Sequence, residues 1–164
     1  MVSHKIVTQE RLQSLISYCP TSGVFKWKIA RTRGVVAGSV AGTDRHGYIV
    51  ISIDGGSFYA HRLAFLLMTG AWPSGVVDHI NGDRSDNRWG NLRDVPHFVN
   101  MQNLKKSPNS SSIGLLGVTR WRGKFKAQIR VGGKNYNLGT FNIAEEAHQR
   151  YLEEKRKLHE GCTL

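Results

Sequence analysis

The chain has 164 residues, with 23 Lys and Arg against 12 Asp and Glu and a formal charge of +11. That length holds one ordinary domain or a few small modules, and 40% hydrophobic with 9% aromatic residues argues for folded modules over a disordered polycation. The longest apolar run, Leu63 to Met68, is too short to cross a bilayer, and the polar first segment does not read as a secretory leader, so membrane and secreted roles are not expected.

Thr8 to Tyr18 places Leu12, Leu15 and Ile16 on one face at helical spacing, with Thr8 as the N-cap and Pro20 beyond its end. Cys19 follows it and Cys162 lies near the other end. With no Cys-x-x-Cys pair, neither a zinc site nor a disulfide framework is expected, and a reducing compartment suits the chain. Val24 to Ile29 alternates as a strand, and Tyr48 to Ile53 is another. Asp54-Gly55 joins the latter to Phe58-Tyr59-Ala60 as a hairpin. From His61 the pattern turns helical through Met68 and closes at Gly70. These first residues read as a small α+β unit whose aromatic side chains mostly build core.

Val76 to Ile80 is a short strand, followed by a polar loop from Asn81 to Asn87 and a second strand over Leu92 to Val95. Pro96 suits the first turn of a helix running to about Leu104. Lys105 to Ser112 has linker composition. Beyond it, strands are expected over 116–122, 124–131 and 134–141, with turns at Arg122-Gly123 and Gly132-Gly133. In the middle strand Phe125, Ala127, Ile129 and Val131 alternate with Lys126, Gln128 and Arg130, giving one apolar and one basic or amide-bearing face. A helix from about Ile143 to His159 offers Ala144, Ala147, Tyr151, Leu152 and Leu158 to cover the apolar face. The other face is left open.

Charge points to what that face meets. Residues 1–104 carry 11 basic and 7 acidic side chains, whereas 105–164 carry 12 and 5. Between Lys105 and Lys134 there are eight basic residues and no acidic one. Interleaved with strand-forming apolar residues, such a block reads as a sheet facing nucleic acid, because phosphate contacts dominate binding affinity.

Chemistry has one strong candidate. A strand delivers Asp78 and His79 side by side, and the later helix can return Asn100 across the hairpin. A carboxylate and an amide oxygen are hard ligands suited to Mg²⁺ or Mn²⁺, with water and phosphate completing the shell. A neutral histidine beside them can take a proton from water attacking a phosphodiester. Asn81 and Asn87 fit ordinary turn chemistry, which would also serve for Asn91.

His61-Arg62-Leu63, Val77-Asp78-His79-Ile80-Asn81-Gly82, Asp86-Asn87-Arg88, Asn91-Leu92-Arg93 and Asn100-x-x-Asn103 resemble, in order and spacing, the phage-type HNH homing endonucleases over about 61–104. The resemblance implies a ββα-metal fold in which Asp78 and Asn100 bind one divalent ion and His79 is the general base. Asn91 would brace the loop that orients His79. Asn100 stands where the family name has its last histidine, and the Cys-x-x-Cys pairs of zinc-bearing relatives are missing. His61 and Arg62 would assist catalysis, with Arg62 reaching a phosphate, or form a helix-start pair bonding local backbone.

A second resemblance lies in Gly117-Val118, Gly123-Lys124-Phe125, Ala127-Gln128-Ile129-Arg130, Leu138-Gly139-Thr140-Phe141 and Ala144-Glu145-Glu146-Ala147. These residues look like the APETALA-type, ethylene-response-factor-like DNA-binding domain, whose three-stranded sheet enters the major groove. DNA-binding positions would then be Thr119, Arg120, Trp121, Arg122, Lys124, Lys126, Gln128, Arg130, Lys134, Asn135 and Asn137. Trp121 either joins that face or turns into the core. Arg and Gln can read guanine and adenine edges, while Lys usually meets phosphate.

The reading is an α+β protein with an N-terminal α+β unit (1–60), an HNH module (61–104), a linker (105–113) and a DNA-binding domain (114–164). The expected activity is metal-dependent hydrolysis of double-stranded DNA, nicking or cutting both strands, by a monomer in the cytoplasm of a bacterial or phage-infected cell. The rival is a non-catalytic, sequence-specific DNA-binding regulator that retains an HNH fold.

Overall fold

The structure, a computed structural model, describes residues 7–31, 34–103, 113–159 and 162. It divides into two compact units, Met1–Pro96 and His97–Leu164. Among the described residues no helix is long and apolar enough to cross a membrane.

In the first unit, α1 (Gln9–Leu15) starts where Thr8 accepts a hydrogen bond from the Arg11 backbone N–H. The helix stops three residues short of the expected Tyr18, and Ile16–Tyr18 instead forms β1, paired antiparallel with β2 (Phe25–Trp27). Ile16 satisfies both patterns. It closes the helical stripe with Leu12 and Leu15, and it also opens an alternation in which Ile16 is buried, Ser17 exposed and Tyr18 half-buried. Strand pairing decides the matter, because a β-branched residue loses rotamer freedom in a helix.

A second sheet runs β3 (Thr43–Arg45), β4 (Tyr48–Ile53), β5 (Gly56–Tyr59). Asp54 (φ 49°) and Gly55 (φ 84°) make its two-residue turn, the geometry whose twist matches the flanking strands. That turn fixes the register, Ile53 opposite Gly56 and Val50 opposite Tyr59. Ile49, Ile51, Ile53 and Phe58 therefore share one face, and Tyr48, Val50 and Tyr59 the other. From Tyr59 the chain passes straight into α2 (Ala60–Thr69), which Gly70 closes by donating to the Leu66 carbonyl at 3.0 Å. Leu63, Ala64 and Leu66 of α2 join Leu12, Leu15, Phe25, Ile51 and Ile53 in one core. Val77 of β6 (Val76–His79) and Leu92 of β7 (Leu92–Val95) belong to the same core. Residues on both sides of position 60 thus share a single hydrophobic interior.

The second unit begins with α3 (His97–Gln102). Leu104, the expected end of that helix, and residues 105–112 of the expected linker lie outside the described residues. A three-stranded sheet follows, β8 (Val118–Trp121), β9 (Lys124–Val131) and β10 (Lys134–Phe141), with β9 central, and α4 (Ala144–Leu158) packs against it. Val118, Ala127 and Ala147 are its buried centre. Gly117 delays the first strand, expected from 116, to Val118: at φ 72° a Cβ there would lie 2.0 Å from the Tyr151 ring. The helix covers the sheet through Ala147, Tyr151 and Lys155. Leu158, expected in that seam, is 44% exposed, and Lys155 is buried in its place. Lys155 lies one turn after Tyr151 and carries its Nζ to 5.9 Å from that ring's centre, so a long aliphatic stem fills the position.

Candidate active site

Strand ends and one helix start deliver four rings to one place in the first unit. Tyr48 opens β4, Tyr59 ends β5, His61 sits in the first turn of α2 and His79 ends β6. His61 meets His79 edge-on, with ring centres 5.0 Å apart, and stacks on Tyr59 at 5.3 Å. The Tyr48 ring lies 5.6 Å from His61 and 6.2 Å from His79. Both histidines are buried, whereas Tyr59 is half exposed.

Burial sets their proton state. His61 is pushed down to about 3, first by desolvation, then by the nearby charges of His79 and Arg62. Its Nδ1 is buried without a hydrogen-bond partner among the described residues. His79 is also lowered, chiefly by desolvation, while interaction with the Asn87 side chain and the negative charge of Asp78 pull the other way. At neutral pH His79 is therefore an uncharged imidazole with carboxylates near enough to stabilise a proton once it arrives.

Asp78 precedes His79 on β6 and lies directly opposite Arg93 on β7. Opposite residues of an antiparallel pair share a face, and the buried Asp78 carboxylate accepts two bonds from that guanidinium, at 2.7 and 2.8 Å. The loop beyond His79 is tied down by Asn91, in the short 3₁₀ turn before β7. Its Oδ1 accepts from the Asn81 N–H at 2.9 Å, its Nδ2 donates to the Asp86 carbonyl at 2.8 Å, and its carbonyl accepts from the Ile80 N–H at 2.9 Å. Asn81 accepts in turn from the Asp83 N–H and donates to Asp86. Arg88 grips Asp86 at 2.8 and 2.6 Å and holds that carboxyl down at about 2. The N-terminal segment clamps the same loop from outside, through Tyr18 Oη donating to the Asn87 carbonyl and the Pro20 carbonyl accepting from Trp89.

Of the residues chosen from the sequence, His61, Asp78, His79 and Asn91 converge here. Arg62 turns its guanidinium to the carbonyls of Pro73 and Gly75, both at 3.4 Å. Asn100 belongs to α3 in the second unit, where its carbonyl accepts from the Asn103 N–H at 3.0 Å. Sequence reasoning passed over Tyr48, Tyr59, Arg84 and Arg93. The hairpin register alone could have placed both tyrosines on the face opposite the isoleucines.

Among the described residues no three His, Cys, Asp or Glu side chains form a cation-binding group. The donor chemistry still suits a hard divalent ion, since Mg²⁺ is commonly held by one or two carboxylates with water and substrate phosphate completing its shell. Asp78 supplies one such carboxylate, already engaged by Arg93.

The second unit presents its own surface. Register places Thr119, Trp121, Lys124, Lys126, Gln128, Arg130, Asn135 and Asn137 on the sheet face away from α4. Trp121, 51% exposed, lies on that face with the cations of Arg122 and Lys126 at 5.4 and 5.6 Å from its ring. Arg120 lies opposite Phe125, its guanidinium 5.4 Å from that ring, and Lys134 lies opposite Val131. Both therefore register with the helix-covered face, and Arg122 sits in the turn.

A buried, uncharged imidazole at the end of a β-hairpin strand can accept a proton. Residues 58–102 match a family described as HNH endonuclease, which supports nuclease chemistry with DNA as the substrate. No curated protein and no solved structure matches the chain.

Proposed function

We propose that the protein is a metal-dependent endonuclease that hydrolyses phosphodiester bonds in double-stranded DNA. The observation that carries this reading is His79, a buried neutral imidazole held by the Asn91-braced loop within the segment matching HNH endonucleases. His79 takes a proton from the attacking water as the water oxygen bonds to phosphorus and the bond to the leaving oxygen breaks. A positioned base of this kind contributes about 10²–10⁴-fold. His61, neutral and edge-on to His79, fixes the ring and keeps water from its flank. Asn91 holds the loop. Asp78 would hold Mg²⁺ or Mn²⁺, with water and substrate phosphate completing the shell. When bound, that ion would stabilise charge developing on the phosphate and the leaving oxygen.

In this reading β6, β7 and α3 follow the chain order of a ββα-metal module of phage type. The open sheet of the second unit acts as an APETALA-type DNA-binding surface that raises the effective concentration of the cutting site on DNA. The molecule works as a monomer in the cytoplasm.

One observation favours the rival reading, a DNA-binding regulator. The Asp78 carboxylate is already neutralised by Arg93, as in a structural ion pair. Asp78→Ala separates the two: on the nuclease reading cutting of plasmid DNA is lost while a gel shift on the same DNA persists. Cutting that survives in Asp78→Ala rules out the assigned ion site, and wild-type protein that binds DNA without cutting it favours the regulator.

A further inference from the structure

Four arginines lie within the matched segment, and three of them are engaged elsewhere. Arg62 donates to the Pro73 and Gly75 carbonyls, Arg88 is bidentate on Asp86, and Arg93 donates twice to Asp78 Oδ2. Arg84 is different. It is exposed, has no carboxylate or carbonyl partner among the described residues, and rests its guanidinium 5.0 Å from the centre of the Tyr48 ring. That same ring borders both His61 and His79.

We infer that Arg84 is the residue that grips the scissile phosphate. A guanidinium stacked on an aromatic face keeps the N–H groups at its edge directed outward, in the fork that matches two phosphate oxygens. Tyr48 is thus a positioning residue that holds this fork beside the proton acceptor. The loop carrying Arg84 is fixed on both flanks, by Asn81 with Asp83 and by Asp86 with Arg88 and Asn91. A cation here adds hydrogen bonds as negative charge grows on the non-bridging oxygens during water attack. The other three guanidiniums would each have to break an existing interaction to do the same. This assignment rests on the nuclease reading, and it gives the phosphate contact to Arg84 in place of Arg62, whose guanidinium is turned to the Pro73 and Gly75 carbonyls.

The test uses full-length wild type, Arg84→Ala and Arg84→Lys on supercoiled plasmid with Mn²⁺, under single-turnover conditions at saturating protein. Affinity for a short duplex and the urea midpoint are measured in parallel. The expected result is a loss of about 100-fold or more in the nicking rate for Arg84→Ala, the scale of removing one preorganised charge-stabilising donor. Duplex affinity and urea midpoint stay within the small range usual for surface substitutions, and Arg84→Lys regains about tenfold, because a point charge replaces part of the fork. An Arg84→Ala rate within about threefold of wild type overturns the assignment. So does a rate loss accompanied by an equal loss of affinity or a lowered urea midpoint in both variants. Wild-type protein that binds the plasmid and never nicks it overturns the nuclease reading itself, and this assignment with it.

Discussion

His61 makes the first unit sensitive to acid in a way that can be calculated. Its folded-state pKa is about 3 against an ordinary 6.5. Between those values the unfolded chain binds a proton that the folded chain refuses, so stability is complete above pH 6.5 and falls as pH is lowered. The loss is about 1.4 kcal/mol per pH unit, or about 3 kcal/mol between pH 7 and 4.5. That is a large share of the 5–15 kcal/mol typical of a domain. His79, also lowered, adds to the slope. Replacing His61 with Gln removes one titration and leaves the other. Urea unfolding followed by tryptophan fluorescence, at fixed ionic strength from pH 4 to 7.5, gives both slopes through Trp27, Trp72 and Trp89 of the first unit. Wild type is expected to be steeper than His61→Gln by about 1.4 kcal/mol per unit between pH 4 and 6. Equal slopes would mean that His61 titrates normally in the folded protein, and the argument for a dry, uncharged histidine pair would be refuted.

Because desolvation lowers His79, the rate of DNA cutting should hold below pH 6.5 and fall only as pH drops through its depressed pKa; a pH–rate profile with its acid limb centred above 6.5 would contradict this. Asn91→Ala deletes two side-chain hydrogen bonds that brace the loop, and should cost about 2–3 kcal/mol in urea unfolding along with most of the cutting activity. Gly117→Ala drives a Cβ to 2.0 Å from the Tyr151 ring at a positive φ, and strain with overpacking should remove about 3 kcal/mol or more from the second unit. Far-UV circular dichroism melts with a DNA gel shift would reveal that loss, and a variant melting like wild type would show that Tyr151 yields easily.

Elements whose signals are local were legible in the sequence. The hairpin around Asp54-Gly55 needs positive φ at adjacent positions, and Tyr48–Ile53 is the strand that alternation delimits. The three strands of the second unit and α4 follow from the same rules. Ile16 was ambiguous because one residue satisfied a helical stripe and a strand alternation together. Lys155 was invisible to a hydrophobicity pattern, since only its position one turn after Tyr151 marks it as buried. At the candidate site, adjacency in the chain gave Asp78 and His79, but the aromatic surround came from three separate elements. The APETALA-type resemblance counts Arg120 and Lys134 among the DNA-facing residues, whereas strand parity places them in register with Phe125 and Val131. Asp78 was chosen for its oxygen chemistry, and its cross-strand bond to Arg93 appears only once the register of β6 and β7 is known.

The most direct test of the account is incubation of supercoiled plasmid with full-length wild type and with His79→Ala, each with and without Mg²⁺. Nicking or linearisation that requires the metal and disappears in His79→Ala, with DNA binding by gel shift retained, is the predicted result. Equal cutting by His79→Ala and wild type would contradict it.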